Sequence, residues 1–407
     1  MTTPLESAPT LALRGGYVFD SASRAFRKSD IFASSGLVSF AALPGPALEL
    51  DCSGLYIIPG LIDCHVHITA SGDPAELSAS RTAPLAERAW RAERYAKATL
   101  HAGITTVRDL GAADRLNIDL ARAIESGLVE GPRILAAGLG VTMTGGHGHG
   151  FLATEADGPD AVRKAVREQL RAGARAIKLF ASGGVMTPGV DPRSPSFTED
   201  ELRAGVEEAH KAFRPVGAHA QATDGIKNAI RAGVDSIEHG VWLDQEAIEM
   251  MCERGTYLVA TLTAPYQIAH HGLEAGMPRF MAEKGWQVLE SHQQSFAAAV
   301  KAGVRVAMGT DQGTPVNRPG ENAQEVVRMV QLGMTNATAL MAATAWAADL
   351  LRIRDEVGRL AEGLAADMVV LERDPLDDIH TLTDQRAIRA VIQGGRLVRA
   401  DLPRIED

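Results

Sequence analysis

From residue 59 to residue 345 the chain alternates two patterns of apolar and polar positions. Short apolar runs that end in polar residues occur at 104–109, 133–141, 176–180, 215–219, 235–239, 257–261 and 304–311. Runs of this length between turn residues read as strands buried on both faces. An earlier run, 56–62, leads into His65 and His67 and brings the set to eight. Between the runs, apolar positions recur at helical spacing, as in Leu85, Ala89, Ala92, Ala96 and Leu100, or Val162, Ala165, Val166 and Leu170. A brief helix fits 224–231. Gly103, Gly173, Gly233 and Gly303 each stand just past a helical stretch and before the next run. A left-handed residue closes a helix there at little cost. Eight strands alternating with helices predict an α/β fold, a (β/α)₈ TIM barrel over residues 59–345.

The two ends have another texture. Residues 11–50 read as short strands broken at Gly15-Gly16, Gly36 and Pro44-Gly45-Pro46. Strand-like runs return at 366–371 and 390–398, with a turn at Asp374-Pro375 between them. Two strand-rich ends around a different middle predict one small β domain assembled from residues 1–58 and 346–407.

Composition narrows the function classes. An apolar content of 45% and a charged content of 23% are those of an ordinary globule with a large core. A net charge of -10 argues against a nucleic-acid groove or an anionic membrane surface as partner. Cys52, Cys64 and Cys252 are too few for a disulfide framework in 407 residues, which points to a reducing compartment. Residues 1–9 lack a basic segment followed by an apolar core, so no signal peptide is expected, and a cytoplasmic location is. No window has the apolar length of a membrane span.

A barrel carries its chemistry at the C-terminal ends of its strands. His65 and His67 end the first strand, and residues two apart on a strand share a face. Neutral imidazoles suit a transition metal. Cys64 alternates away from them. Lys178 lies in the fourth strand, His219 ends the fifth, His239 the sixth and Asp311 the eighth. Each has a plainer reading alone: a surface His-X-His, a lysine reaching the rim, a hydrogen-bonded core histidine, or an aspartate capping a turn. Six such residues, all on predicted strands, outweigh those readings. A lysine ammonium amid ligands would repel a metal, whereas a lysine carbamate is an anionic donor able to bridge two.

At these residues the chain resembles the amidohydrolase superfamily over nearly its whole length. Pro59-Gly60-Leu61-Ile62-Asp63-Cys64-His65-Val66-His67, Lys178, His219, His239 and Gly309-Thr310-Asp311 carry the resemblance. The stretch Gly358 to Gly363, with Ala366-Asp367, is similar to the strand returning to that superfamily's β-sandwich, so the terminal domain is expected to be one. Thr144-Gly145-Gly146-His147-Gly148 and Ala181-Ser182-Gly183-Gly184-Val185-Met186 resemble the imidazolonepropionase-related branch, which contains Xaa-Pro and Xaa-Arg dipeptidases and ochratoxin-degrading amidases. The resemblance implies two divalent metal ions, expected to be zinc. His65, His67 and Asp311 would hold one, His219 and His239 the other, with N6-carboxylysine at Lys178 bridging. Imidazolonepropionase is mononuclear and lacks that lysine, so Lys178 argues against its activity.

The expected function is hydrolysis of a small-molecule amide, a dipeptide or an N-acyl amino acid with a free carboxylate, by a metal-bridging hydroxide. Asp311 would shuttle the proton. His147, in a glycine-rich loop, would contact the carbonyl or the substrate carboxylate, with Tyr257, Tyr266 and Arg193 as further substrate contacts. The same centre could serve an ester, lactone, phosphoester or cyclic amide. A cation placed for a carboxylate would separate these readings, and Arg193 is the expected one. A non-enzymatic scaffold would have lost ligands, and none is lost. The branch also implies a homo-oligomer, with an octamer expected.

Overall fold

The computed structural model describes residues 10–41, 47–76 and 82–405. Residues 1–9 and the expected turn at Pro44-Gly45-Pro46 lie outside them. In the middle of the chain, strands alternate with helices and pair in parallel. Leu61–Val66, Ile104–Asp109 and Arg133–Ala136 form one parallel sheet. Gly140–Thr142, Ile177–Phe180, Val216–Ala220, Ser236–His239 and Tyr257–Val259 form a second, with the short Ala153–Glu155 at its edge. The fold is mixed α/β.

Further hydrogen bonds link the sheets. The Arg175 N–H donates to Ala136 O at 2.8 Å, Leu258 N–H to Arg305 O at 2.8 Å, and Cys64 N–H to Met308 O at 2.8 Å. Segment 304–311 therefore lies between the Tyr257–Val259 and Leu61–Val66 strands.

The intervening helices bury the faces that their spacing marks. Pro159–Ala172 encloses Val162, Ala165 and Val166, and Leu85–His101 encloses Ala92, Ala96 and Leu100. Burying a Val or Leu side chain contributes about 1.5–3 kcal/mol, so these faces hold the helices against the strands. Gly173, Gly233 and Gly303 end their helices with φ of 108°, 91° and 85°. The brief helix is Thr223–Ala232.

Three expected strands differ in detail. Residues 56–62 split at Gly60 into Tyr56–Pro59 and Leu61–Val66, which join different sheets. A Cβ at Gly60 would lie 2.2 Å from Thr105 Oγ1, so the chain passes Thr105 only as glycine. Residues 133–141 split into Arg133–Ala136 and Gly140–Thr142 around Gly138, whose φ is 73°. Segment 304–311 is not a regular strand and makes one isolated bridge, Val306 to Leu258. Its N–H groups serve several partners: Met308 donates to Ala342 O, while Thr310 and Asp311 both donate to His65 O.

The two ends of the chain pair with each other. Met368–Leu371 runs antiparallel to Tyr56–Pro59, with Met368 opposite Pro59, inside a six-stranded sheet that also holds Tyr17–Asp20, Ala25–Lys28, Ile388–Gln393 and Arg396–Ala400. A four-stranded sheet is built from Leu11–Arg14, Ile31–Ser34, Leu37–Ser39 and Leu48–Asp51. Side chains from both sheets, among them Leu11, Leu13, Ile31, Ile57, Val370 and Ile392, form one buried cluster. All three cysteines are free, and Cys52 and Cys64 are buried. Among the described residues, no helix is long and apolar enough to cross a membrane.

Candidate metal centre

The strand ends converge on one cavity. His65, His67, His147, Lys178, His219, His239 and Asp311 all line it, and its empty volume, open mouth included, is ≈ 1360 Å³. His65, His239 and Asp311 present ligand atoms within 4.8 Å of one another. Asp311 Oδ1 lies 3.3 Å from His65 Nε2 and 3.2 Å from His67 Nε2. Lys178 Nζ is 3.4 Å from His65 Nε2, and the His219 and His239 rings are 4.5 Å apart. The structure thus brings together all six expected ligand residues.

What surrounds the histidines decides which nitrogen each can offer. His65 Nδ1–H donates to Glu238 Oε2 at 2.8 Å, His67 Nδ1–H to Gly111 O at 2.8 Å, and His219 Nε2–H to Gly183 O at 2.9 Å. These partners only accept, so the tethered nitrogen must carry the proton. His239 Nδ1 meets Thr261 Oγ1 at 2.7 Å, and Thr261 gives its own proton to Ala260 O, so Nδ1 is again the donor. Each imidazole keeps one nitrogen lone pair: Nε2 in His65, His67 and His239, and Nδ1 in His219. Four oriented lone pairs beside a carboxylate fit transition-metal ligation, where the second nitrogen of each ligand histidine is normally tied to an acceptor.

Burial sets the charge states. It pushes His65, His219 and His239 well below the usual imidazole range, with Lys178 adding to it in all three. Burial lowers His67 as well, but Asp311 outweighs it and raises the ring. Asp311 would be raised by burial, yet His65, His67 and Lys178 hold it at about 2. Lys178, 1% exposed, is lowered by burial to about 8. The centre therefore holds the neutral imidazoles of His65, His219 and His239 near an ionised carboxylate, against which His67 is the most basic of the four rings.

The backbone at these strand ends is unusual. His239, Thr261 and Asp311 have φ of 72°, 56° and 59°, a left-handed region that costs a non-glycine residue energy and clusters at functional sites. A carboxylate–guanidinium pair lies beneath. Glu238, wholly buried, accepts from Arg108 Nη2 at 2.8 Å through the oxygen that does not meet His65. Arg108 also donates to Cys64 O at 2.6 Å and to Ser236 Oγ at 3.1 Å. Asp63 ties the first strand to segment 304–311 by accepting from His65 N–H, Thr310 and Asn322.

His147 lines the cavity with its ring 4.6 Å from that of His219. Its Nδ1 lies 2.8 Å from Thr187 Oγ1, which also accepts from Gly148 N–H. Burial lowers it to about 3, so its ring is neutral. Gly184 packs against it, and a Cβ there would fall 2.5 Å from His147 Nε2.

The other expected substrate contacts do not join the cavity. Tyr257 begins its strand instead of ending it. It lines a separate cavity with Arg305, Trp346 and Asp349. Arg193 is exposed, with its guanidinium 5.2 Å from the Trp242 ring centroid. Tyr266 packs under Arg328 and beside His270, while its helix neighbours Ala264, Pro265 and Ile268 supply the lining. Among the described residues, the arginine that lines the cavity is Arg88, and Gln221 lines it as well. Glu238 and Arg108 also went unread as functional, although a charged residue inside a buried run was a usable signal.

Comparison with known proteins gives the family. The model of the amidohydrolase family matches residues 56–398. The chain is 34% identical over 380 residues to an ochratoxinase of Aspergillus niger, covering 84% of this chain and 75% of that protein. Among solved structures, a Xaa-Pro dipeptidase with methionine bound in its active site superposes with a TM-score of 0.86 at 32% identity, over 95% of this chain and 99% of that one. A prolidase complexed with N-methylphosphonate-L-proline gives 0.88 at 34% identity, over 96% and 100%.

Proposed function

The chain belongs to the amidohydrolase family, in the branch of imidazolonepropionase, Xaa-Pro dipeptidase and ochratoxinase, and acts on amide bonds; on that basis we propose that it cleaves a dipeptide or N-acyl amino acid at a binuclear metal centre. The observation that carries this reading is the set of four tethered imidazoles, each with one lone pair left, around Asp311 and Lys178. His65, His67 and Asp311 would hold one cation and His219 and His239 the other, with Lys178, as its carbamate, bridging. Bound there, two divalent cations, zinc in this reading, supply Lewis acidity and bring a shared water's pKa near neutrality.

The protein's own groups do the rest. Asp311, ionised and in contact with His65 and His67, takes the water's proton and returns it to the departing amine nitrogen. The Thr187 hydroxyl proton is available to His147 Nδ1, which leaves His147 Nε2–H to donate to the scissile carbonyl oxygen. The largely apolar lining, including Leu116, Leu152, Met186 and Ile268, excludes water and favours an apolar side chain, ochratoxin-type amides among the possibilities. We read the parallel strands and segment 304–311 as a (β/α)₈ barrel over residues 59–345, and the two terminal sheets as a β-sandwich from 1–58 and 346–407. A cytoplasmic homo-oligomer, read as an octamer, completes the proposal.

The test is a library of dipeptides and N-acyl amino acids assayed with protein reconstituted in zinc and bicarbonate. Hydrolysis should accompany about two metal ions per subunit. Lys178→Ala should lose metal and activity together, with partial rescue by short carboxylic acids. Full activity at one metal per subunit, or an unimpaired Lys178→Ala, overturns the binuclear reading.

A further inference from the structure

Among the described residues, the cavity that holds the candidate metal centre is lined by one cation outside the ligand cluster. Among the described lining residues, the lysines and arginines are Lys178 and Arg88. Lys178 sits against His65, so its charge belongs to the ligand group. Arg88 comes from the first turn of Leu85–His101, on the connection that follows the His65 strand.

Its setting is not that of a surface ion pair. The Arg88 side chain is 14% exposed, whereas its partner Asp114 is 59% exposed. Only Nη2 of Arg88 meets that carboxylate. Nε–H is buried and, among the described residues, has no partner, and an unmade hydrogen bond from a charged buried donor is expensive. Nor does the helix favour a cation there. The first turn is the positive end of the macrodipole, where an arginine is disfavoured and an anion is stabilised. An enclosed guanidinium with a spare donor, at a positive helix end on the wall of a largely apolar cavity, is chemistry suited to a carboxylate.

We propose that Arg88 is the specificity-determining residue of this site, binding the free carboxylate of the substrate while the amide lies toward His147 and Asp311. Asp114, on the more exposed side, holds the guanidinium in place and competes mildly with the substrate for it. The inference deepens the amide-hydrolase reading and rests on it. It moves carboxylate recognition from Arg193, which stacks on Trp242, to Arg88. Esters and lactones without a carboxylate would leave the guanidinium unmatched.

The probes are N-acetyl-L-phenylalanine and N-acetyl-L-phenylalaninamide, which differ only in the charge that Arg88 would meet. Metal-loaded protein is assayed for kcat/KM on each, and for affinity by calorimetry. The wild type should favour the acid. Arg88→Met should lose about 10–100-fold on the acid, the size of a charge-assisted hydrogen bond, mainly in KM, and little on the carboxamide. Arg88→Lys should keep part of the preference, and Asp114→Asn should keep or raise it. Equal losses on both probes, no loss on the acid, or an Asp114→Asn variant that behaves like Arg88→Met would each overturn the proposal. Melting temperatures of the variants separate misfolding from lost recognition. If no member of the dipeptide and N-acyl amino acid library is hydrolysed but the acid probe binds better through Arg88, the proposed function fails while this inference stands; no preference for the acid in binding refutes it.

Discussion

Glu238 supports His65 from below and neutralises Arg108, and Glu238→Gln separates these roles. Glu238 Oε2 accepts from His65 Nδ1–H at 2.8 Å, and Oε1 accepts from Arg108 Nη2 at 2.8 Å. Both partners of the ion pair are 0% exposed. The glutamine keeps the shape but removes the charge, leaving a guanidinium buried without a counter-ion. Breaking one side of a buried pair costs about 3–5 kcal/mol, a large part of the roughly 5–15 kcal/mol that a folded domain has to spare. The glutamine also weakens the tether that fixes the His65 tautomer, worth about 10–100-fold in metal affinity. Urea unfolding of metal-free protein reads the first effect, and zinc titration against a chelator reads the second. The double variant Arg108→Met/Glu238→Gln removes the orphaned charge. It should recover much of the stability but not the zinc affinity, since His65 still lacks its carboxylate. A Glu238→Gln protein within about 1 kcal/mol of wild type, or a double variant that merely adds the two losses, would refute the reasoning.

Three further outcomes follow from the same geometry. Asp311→Asn should lower kcat by about 10²–10⁴-fold with a smaller change in KM, with metal content measured in parallel; near wild-type turnover with metals retained would pass the shuttle role to His147. Gly184→Ala should displace His147, since its Cβ would sit 2.5 Å from Nε2; kcat/KM should fall about 10²-fold at unchanged metal content, and unchanged kinetics would detach His147 from the reaction. Glu325 is raised by burial to about 7, although Leu262 N–H, Thr263 N–H and Thr263 Oγ1–H all donate to it. Its folded state holds a proton that the unfolded chain releases near pH 4.5, so its contribution to stability is full below that pH and is lost as pH rises to about 7. Unfolding at several pH values should show a flatter slope over this window in Glu325→Gln than in wild type, and identical slopes would remove Glu325 as the cause.

Much of this molecule is legible in its residue order because the relevant physics is local. Strand burial and helical spacing are set by neighbours a few residues apart, so the alternation of elements and the closing glycines Gly173, Gly233 and Gly303 could be read directly. His65, His219, His239 and Asp311 were found by the same means, since the end of each run names a residue at one rim of the fold; Lys178, inside its run, stood out as a charge within an apolar strand. That local reading also had limits. The run 257–261 is a strand where expected, but Tyr257 stands at its start and so belongs to the opposite end of the sheet from Thr261. Arg193 follows the fourth strand closely in sequence, yet its chain turns outward to Trp242. Arg88, far from every ligand except those of the first strand in sequence, lines the cavity instead. The pairing of Glu238 with Arg108 spans 130 positions and that of Asp63 with Asn322 spans 259. No periodicity encodes such pairs. The sequence determined which residues stand at the strand ends; only the packed sheets decided which nitrogen of each histidine is tethered and which cation the cavity encloses, because those depend on distances between segments that meet only once the chain has folded.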